Sequence, residues 1–217
     1  RDIKRRKQSV ESTQQITKAM KLVSTVKLQR AKQRAEQSKT YFQTIYDTVN
    51  SILARSGSIN HPYLKAGASD KKAVIMITGN RGLAGGYNSN VVKLISKNDE
   101  FTKDNTYIYA IGRKGKDAMN HLGYTVKADY SDAIEEPLYS DAMTIAEELL
   151  NAFEAGEIGE IYLAYTAFKN TVSHEPTLMK LLPVDQTAEA EAVSERLLFP
   201  FLLLPVIFQE AETLTLG

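Results

Sequence analysis

The hydrophobic pattern divides the chain into two unlike parts. Residues 2 to about 56 contain neither Pro nor Gly, and their apolar or small positions follow heptad-like steps: Ile16, Met20, Val23 and Val26, then Ala31, Ala35, Ser38, Phe42, Ile45, Val49 and Ile52. Steps of three and four residues define a narrow seam, not the broad stripe of a helix lying on its own core. Lys, Arg, Gln, Ala and Leu fill much of the rest, and all are good helix formers. The pattern predicts one helix over residues 1–56, about 80 Å long at about 1.5 Å per residue. A run of that length without internal caps points to a coiled coil or a protruding rod. Gly57 is expected to stop it, and residues 57–72 read as a linker.

The first half of this seam is the weaker half. Thr13 and Thr17 fall near it, and Lys27 and Arg30 crowd it. Such a surface needs a partner that tolerates small, polar and basic contacts. The plainer alternative is a solvated helix packed along one side only.

Residues 73–185 change character and read as an α/β domain. Residues 73–78 (AVIMIT) form a short continuous apolar run, the mark of a strand buried on both faces. After a glycine-rich turn, Val91, Val92, Leu94 and Ile95 share a helical face. A second strand is predicted at 106–111, a short helix near 114–122, and a third strand at 125–128. Ser140 is expected to cap the next helix, with Asp141 in its first turn and Ala142, Ile145, Ala146, Leu149, Leu150 and Phe153 on its apolar face. Residues 160–168 give a fourth strand, and residues 174–183 return beside it as an edge strand, where Pro176 is tolerable. Strands alternating with helices imply a mostly parallel, Rossmann-like sheet. Residues 186–217 follow no such pattern: an acidic, alanine-rich stretch leads into an apolar run at 197–208 that Pro200 and Pro205 interrupt. Twelve residues are too few to span a bilayer, so the run is expected to be buried or covered by a partner.

Charge sharpens the picture. The chain is near neutral at +1, yet residues 1–39 carry 12 basic and three acidic side chains, +9 against −8 for the remainder. A basic rod on an acidic body suits an acidic partner, whether nucleic acid, anionic lipid or protein. Hydrophobic and charged fractions of 43% and 24% are ordinary for a globular protein. The absence of Cys excludes disulfides, thiolate nucleophiles and cysteine-ligated metals, and fits a reducing compartment. The start, at Arg1 without an initiator Met, is basic and polar, so no secretory signal is read there, upstream residues are expected to be missing, and the chain looks cytosolic. His61, His121 and His174 are too scattered to ligate a metal locally and are expected to be solvated or hydrogen-bonded at the surface.

Candidate chemistry is thin. The segment at 79–86, with Gly79, Arg81, Gly82, Gly85 and Gly86, lies between strand and helix, where a phosphate-cradling loop would sit. Its G-x-x-G-x-x-G-G spacing is neither the dinucleotide fingerprint nor the Walker loop, and no acidic residue follows the second strand to hold a ribose. A tight structural turn is favoured, with a nucleotide-binding enzyme using this loop as the alternative. Glu135 with Glu136 and Glu147 with Glu148 read as solvated carboxylates; Tyr107, Tyr109, Tyr162 and Tyr165 read as ordinary strand aromatics. Neither a nucleophile elbow nor a paired-histidine zinc motif is present. No catalytic residue, cofactor or metal is expected.

Three segments carry a resemblance. Residues 14–28 (QQITKAMKLVSTVKL) closely resemble the N-terminal helix of ATP synthase gamma subunits. Residues 77–88 (ITGNRGLAGGYN) are similar to that family's S-D-R-G-L-[CA]-G-x-x-N segment, with Asn80 in place of Asp. Residues 165–170 (YTAFKN) with 181–183 (LLP) resemble a later strand of the same family, so that the likeness covers residues 2–185 nearly end to end. It implies a non-catalytic rotor shaft on an α/β foot, in contact with the alpha and beta subunits of the catalytic head, the epsilon subunit and the membrane rotor ring. It implies that Ile16, Thr17, Lys18, Ala19, Met20, Lys21 and Val23 contact the beta subunits, with Thr17, Lys18, Ala19 and Met20 where the shaft meets an acidic lever of one. It further implies no nucleic-acid partner, and a peripheral location on the cytoplasmic face of a bacterial cell membrane. The family's long C-terminal helix is matched only in fragments, Ser194-Glu195-Arg196 and residues 213–216, so residues 186–217 read as an incomplete or divergent return helix.

Overall fold

The computed structural model describes residues 2–55, 62–65, 67–134, 139–168 and 173–183, with the side chains of 34–43, 45–47, 49–55 and 139 left aside. The stop at Gly57, the pair Glu135–Glu136, the turn at 169–172, the tail from 184 and the seam side chains from Ala35 to Ile52 lie outside what is described. Helix α1 runs unbroken over Asp2–Arg55, 54 residues. Thr and Ser sit within it because their hydroxyls fold back on the helix. Thr13 donates to the Ser9 carbonyl at 2.9 Å, Thr17 to Thr13 at 2.9 Å and Thr25 to Lys21 at 2.8 Å. Those bonds satisfy the hydroxyls without any external partner.

The sheet domain alternates strand and helix: β1 (Lys72–Ile77), α2 (Tyr87–Ser96), β2 (Thr106–Ile111), α3 (Arg113–His121), β3 (Thr125–Asp129), α4 (Tyr139–Glu154), β4 (Glu160–Phe168) and β5 (His174–Leu182). Strand order is β3-β2-β1-β4-β5, with β5 alone antiparallel. β1 lies central, and residues 73–77 are wholly buried, as a strand covered on both faces must be. One face packs Ile75, Ile77, Ile111, Leu163 and Tyr165 against α4 through Ile145, Leu149 and Phe153. The other packs Val74, Met76, Ile108, Tyr162 and Ala164 against α2 and α3 through Val91, Ile95 and Met119. Pro176 stands in β5, at the edge, opposite Thr166.

Two local expectations need correction. β1 begins at Lys72 and ends before Thr78, one residue earlier than predicted. Ser140 is not a cap: α4 already includes Tyr139, and the Ser140 carbonyl accepts a bond from Thr144 Oγ1 at 2.9 Å inside the helix. A Ser beside an Asp signals a helix start to within a turn, and here the first turn begins upstream of it.

Strands β1 and β4 are neighbours from which the chain continues in opposite directions across the sheet, from β1 through α2 to β2 and from β4 by an antiparallel return to β5. Their carboxyl ends therefore mark the topological switch point of this open sheet.

Candidate functional site

Along α1, burial changes at a definite place. Residues 2–23 are exposed throughout, partial cover begins at Ser24, and Ala31 is fully buried. The seam residues of the free portion have no cover: Ile16, Met20 and Val23 expose 58%, 54% and 55% of their surface, and Ile3, Val10 and Leu22 more. Ile16, Met20 and Val23 fall at i, i+4 and i+7, one side of the helix, with Thr17, Lys18, Ala19 and Lys21 interleaved. On this stretch, Lys7 pairs with Glu11 at 3.7 Å, one helical turn on. Among the described residues, Lys18 and Lys21 have no such pair. The arrangement joins an apolar ridge to uncompensated positive charge, and offers both to something outside the sheet domain.

The glycine segment is a closed turn. The Gly79 N–H donates to Asn88 Oδ1 at 2.8 Å, and Asn88 Nδ2 donates to the Arg81 carbonyl at 3.1 Å. Asn80 works outward: its Nδ2 donates to the Ser131 carbonyl at 3.0 Å and its Oδ1 accepts the Arg113 N–H at 2.9 Å. Gly85 has φ of +55°, where a side chain would be strained. A Cβ on Gly86 would come 2.7 Å from Asn90 Nδ2, whereas one on Gly82 would meet the Lys114 side chain at an ordinary 3.6 Å. Arg81 and Gly82 are exposed, and Leu83 is fully exposed at a φ of 62°. The glycine spacing by itself shows neither the Asn88 bridge across the turn nor the Asn80 bonds to Ser131 and Arg113. The signal for the bridge is Asn88 itself, since an Asn side chain at the end of a turn is suited to bond the turn's backbone.

The expectation for His174 also needs correction. The residue was expected to be solvated or hydrogen-bonded, yet its Nε2 is buried without a hydrogen-bond partner, as is Thr166 Oγ1. Both residues line a cleft beside the first turn of α2. Among the described residues, no group of His, Cys, Asp or Glu is placed to hold a metal ion, and no helix is long and apolar enough to cross a membrane.

The fold and its bare rod together define a class: a stalk protein, in which a compact α/β foot carries a helix far longer than the foot can cover. Known proteins place it further. The family profile described as ATP synthase matches residues 1–209, reaching into the segment whose sequence matched the family only in fragments. The ATP synthase gamma chain of Lachnoclostridium phytofermentans is 60% identical over 203 residues, 91% of this chain and 69% of that one. That of Alkaliphilus metalliredigens is 38% identical over 89% of this chain and 67% of its own length. A chain from the cryo-EM structure of the Tetrahymena thermophila mitochondrial ATP synthase central stalk and c-ring shares the fold, with a TM-score of 0.60 at 18% identity, covering 93% of this chain and 96% of that one. The chain belongs to the ATP synthase gamma-chain family. It spans about two-thirds of the length of the two bacterial relatives.

Proposed function

We infer that this chain is the non-catalytic central shaft of a rotary ATP synthase. Ion-driven rotation turns the rod within the catalytic head, and its uneven surface bears on the three beta subunits in turn. Each is thereby driven through the conformations of ATP synthesis, or drives the rod backward during hydrolysis. The observation that carries this reading is the uncovered ridge of Ile16, Met20 and Val23 on a helix of 54 residues. Exposed apolar ridges at helical spacing are interaction surfaces in waiting. Thr17, Lys18, Ala19 and Lys21 complete the contact, the two lysines facing an acidic lever of a beta subunit. The alpha subunits surround the same rod, and the α/β foot meets the epsilon subunit and the membrane rotor ring. The chain is thus a peripheral part of a membrane-bound complex, held on the cytoplasmic face of the bacterial cell membrane through its partners.

The test is co-purification with alpha and beta subunits, followed by ATPase assay with and without this chain. A stable complex with altered turnover is expected. Failure to co-purify with either subunit, at concentrations where each is folded, would remove the proposal.

A further inference from the structure

The cleft beside α2 occupies the place where open α/β sheets bind ligands, outside the carboxyl ends of the strands at the switch point. Its volume is about 340 Å³, at the lower end of small-molecule pockets. Ala84, Gly86, Tyr87 and Asn90 line it from the turn and first turn of α2; Thr166, His174 and Pro176 line it from β4 and β5. Strand alternation sets the direction of Thr166. Ile161, Leu163 and Tyr165 face α4, so Tyr162, Ala164 and then Thr166 face α2. Thr166 is only 6% exposed, and its Oγ1 has no hydrogen-bond partner. His174 Nε2 is likewise buried and unpartnered, while its ring lies 5.8 Å from that of Phe168. Leaving two such atoms unsatisfied is costly, about 1–3 kcal/mol for a buried polar group, which calls for an occupant.

The available polar groups share the capacity to donate. A threonine hydroxyl donates, His174 Nε2 donates in one neutral tautomer and in the imidazolium, and the Asn90 amide donates through Nδ2. The α2 N-terminus has no side-chain cap at Gly86 and presents the positive end of the helix dipole. All four can serve an oxyanion. Among the described residues no Lys or Arg lines the cleft, so a doubly charged phosphate would lack counter-charge. Tyr87, Ala84 and Pro176 instead supply apolar wall for a short carbon body. We propose that this cleft binds a small organic carboxylate, its two oxygens received by Thr166, His174 and Asn90 at the start of α2. The site is separate from the shaft contact and stands or falls independently of the rotor assignment.

The experiment is an NMR titration of the whole chain with acetate, acetamide and inorganic phosphate, following the His174 ring protons and the Asn90 side-chain amide. Acetate should shift both saturably at millimolar concentration. Acetamide, similar in shape but neutral, should bind at least tenfold more weakly, and phosphate no better than acetamide. Thr166→Val keeps the side-chain shape and should weaken acetate at least fivefold; His174→Gln, retaining a donor, should weaken it less. A linear, unsaturated response to acetate up to 100-fold above the expected range would overturn the proposal. So would equal binding of acetate and acetamide, both readable on the wild-type chain alone.

Discussion

Gly112 passes so close to Thr78 that a Cβ on it would lie 1.9 Å from the Thr78 carbonyl oxygen. The contact joins the ends of β2 and β1. Thr78 Oγ1 donates to the Gly112 carbonyl at 3.1 Å and accepts the Gly115 N–H at 2.9 Å, all of it buried. Gly112 also has φ of +106°, a region closed to L side chains. Gly112→Ala should therefore destabilise the foot by about 2–4 kcal/mol, from backbone strain and displaced packing together. Thr78→Val should cost about 1–3 kcal/mol by leaving the Gly115 N–H unpaired. Urea unfolding of the two variants measures both, and an unchanged midpoint for Gly112→Ala would contradict the geometry.

At the opposite end of the sheet, Glu160 is held between two lysines. Lys72 Nζ lies 2.6 Å from Glu160 Oε2, Lys180 bonds the other oxygen, and Lys72 also sits 5.5 Å from the ring centres of Phe101 and Tyr162. Burial alone would raise the Glu160 carboxyl, but the hydrogen bonds and charges of Lys180 and Lys72 outweigh it and bring the pKa down to about 2. A carboxylate with a lowered folded-state pKa stabilises the fold above its unfolded pKa, and that contribution fades as pH falls toward the folded value. Stability should thus decline between about pH 4.5 and 2. With 26% of the side chain still exposed, solvent screening limits the effect to about 1–2 kcal/mol. Glu160→Gln should lower stability at pH 7 and flatten this part of the pH profile; thermal melts at pH 7, 4.5 and 3 follow both.

Much of the fold was legible because its signals are local. The apolar runs of β1, β2 and β4 stand within a residue of their observed limits, since strands buried on both faces carry few polar positions to confuse the reading. The rod was legible from what it lacks, Gly, Pro and a broad apolar stripe. Ser140 misled because capping residues also sit inside first turns. The cleft was invisible to pattern: Thr166 reads as one more β-former and His174 as one more surface histidine. Only the pairing of β4 with β5 and the approach of α2 bring them to one place. Asn80 and Asn88 fall between these cases: Asn88 bonds Gly79 and Arg81 within the turn, whereas the partners of Asn80, Ser131 and Arg113, are remote in sequence.

The charge on the shaft gives a prediction about coupling. Lys18→Glu should weaken the link between ATP hydrolysis and rotation while leaving assembly largely intact, because individual exposed ion pairs contribute little, about 0–1 kcal/mol. Reversing Lys18 and Lys21 together should have the larger effect. Single-molecule rotation set against bulk ATPase rate reads the ratio directly. Unchanged coupling in the double reversal would count against an acidic lever at this position.

The ridge itself separates a structural role from a binding role. Were Ile16, Met20 and Val23 core residues, replacing them by Ser would destabilise the chain by several kcal/mol, as buried apolar truncations do. Each is more than half exposed, so the isolated chain should lose little, within about 0.5 kcal/mol per site plus the modest helix penalty of Ser. The cost should appear only in the complex, where the same side chains become covered. Met20→Ser with Val23→Ser is therefore expected to leave helicity and thermal midpoint nearly unchanged while weakening co-purification with beta subunits at least tenfold, equivalent to burial of about 1.4 kcal/mol or more of apolar surface. Circular dichroism on the isolated chain and pull-down from a mixture of alpha and beta subunits give the two readouts. A large fall in the midpoint would mean that this ridge packs within its own chain, and the free end of α1 would then have no surface left to offer the catalytic head.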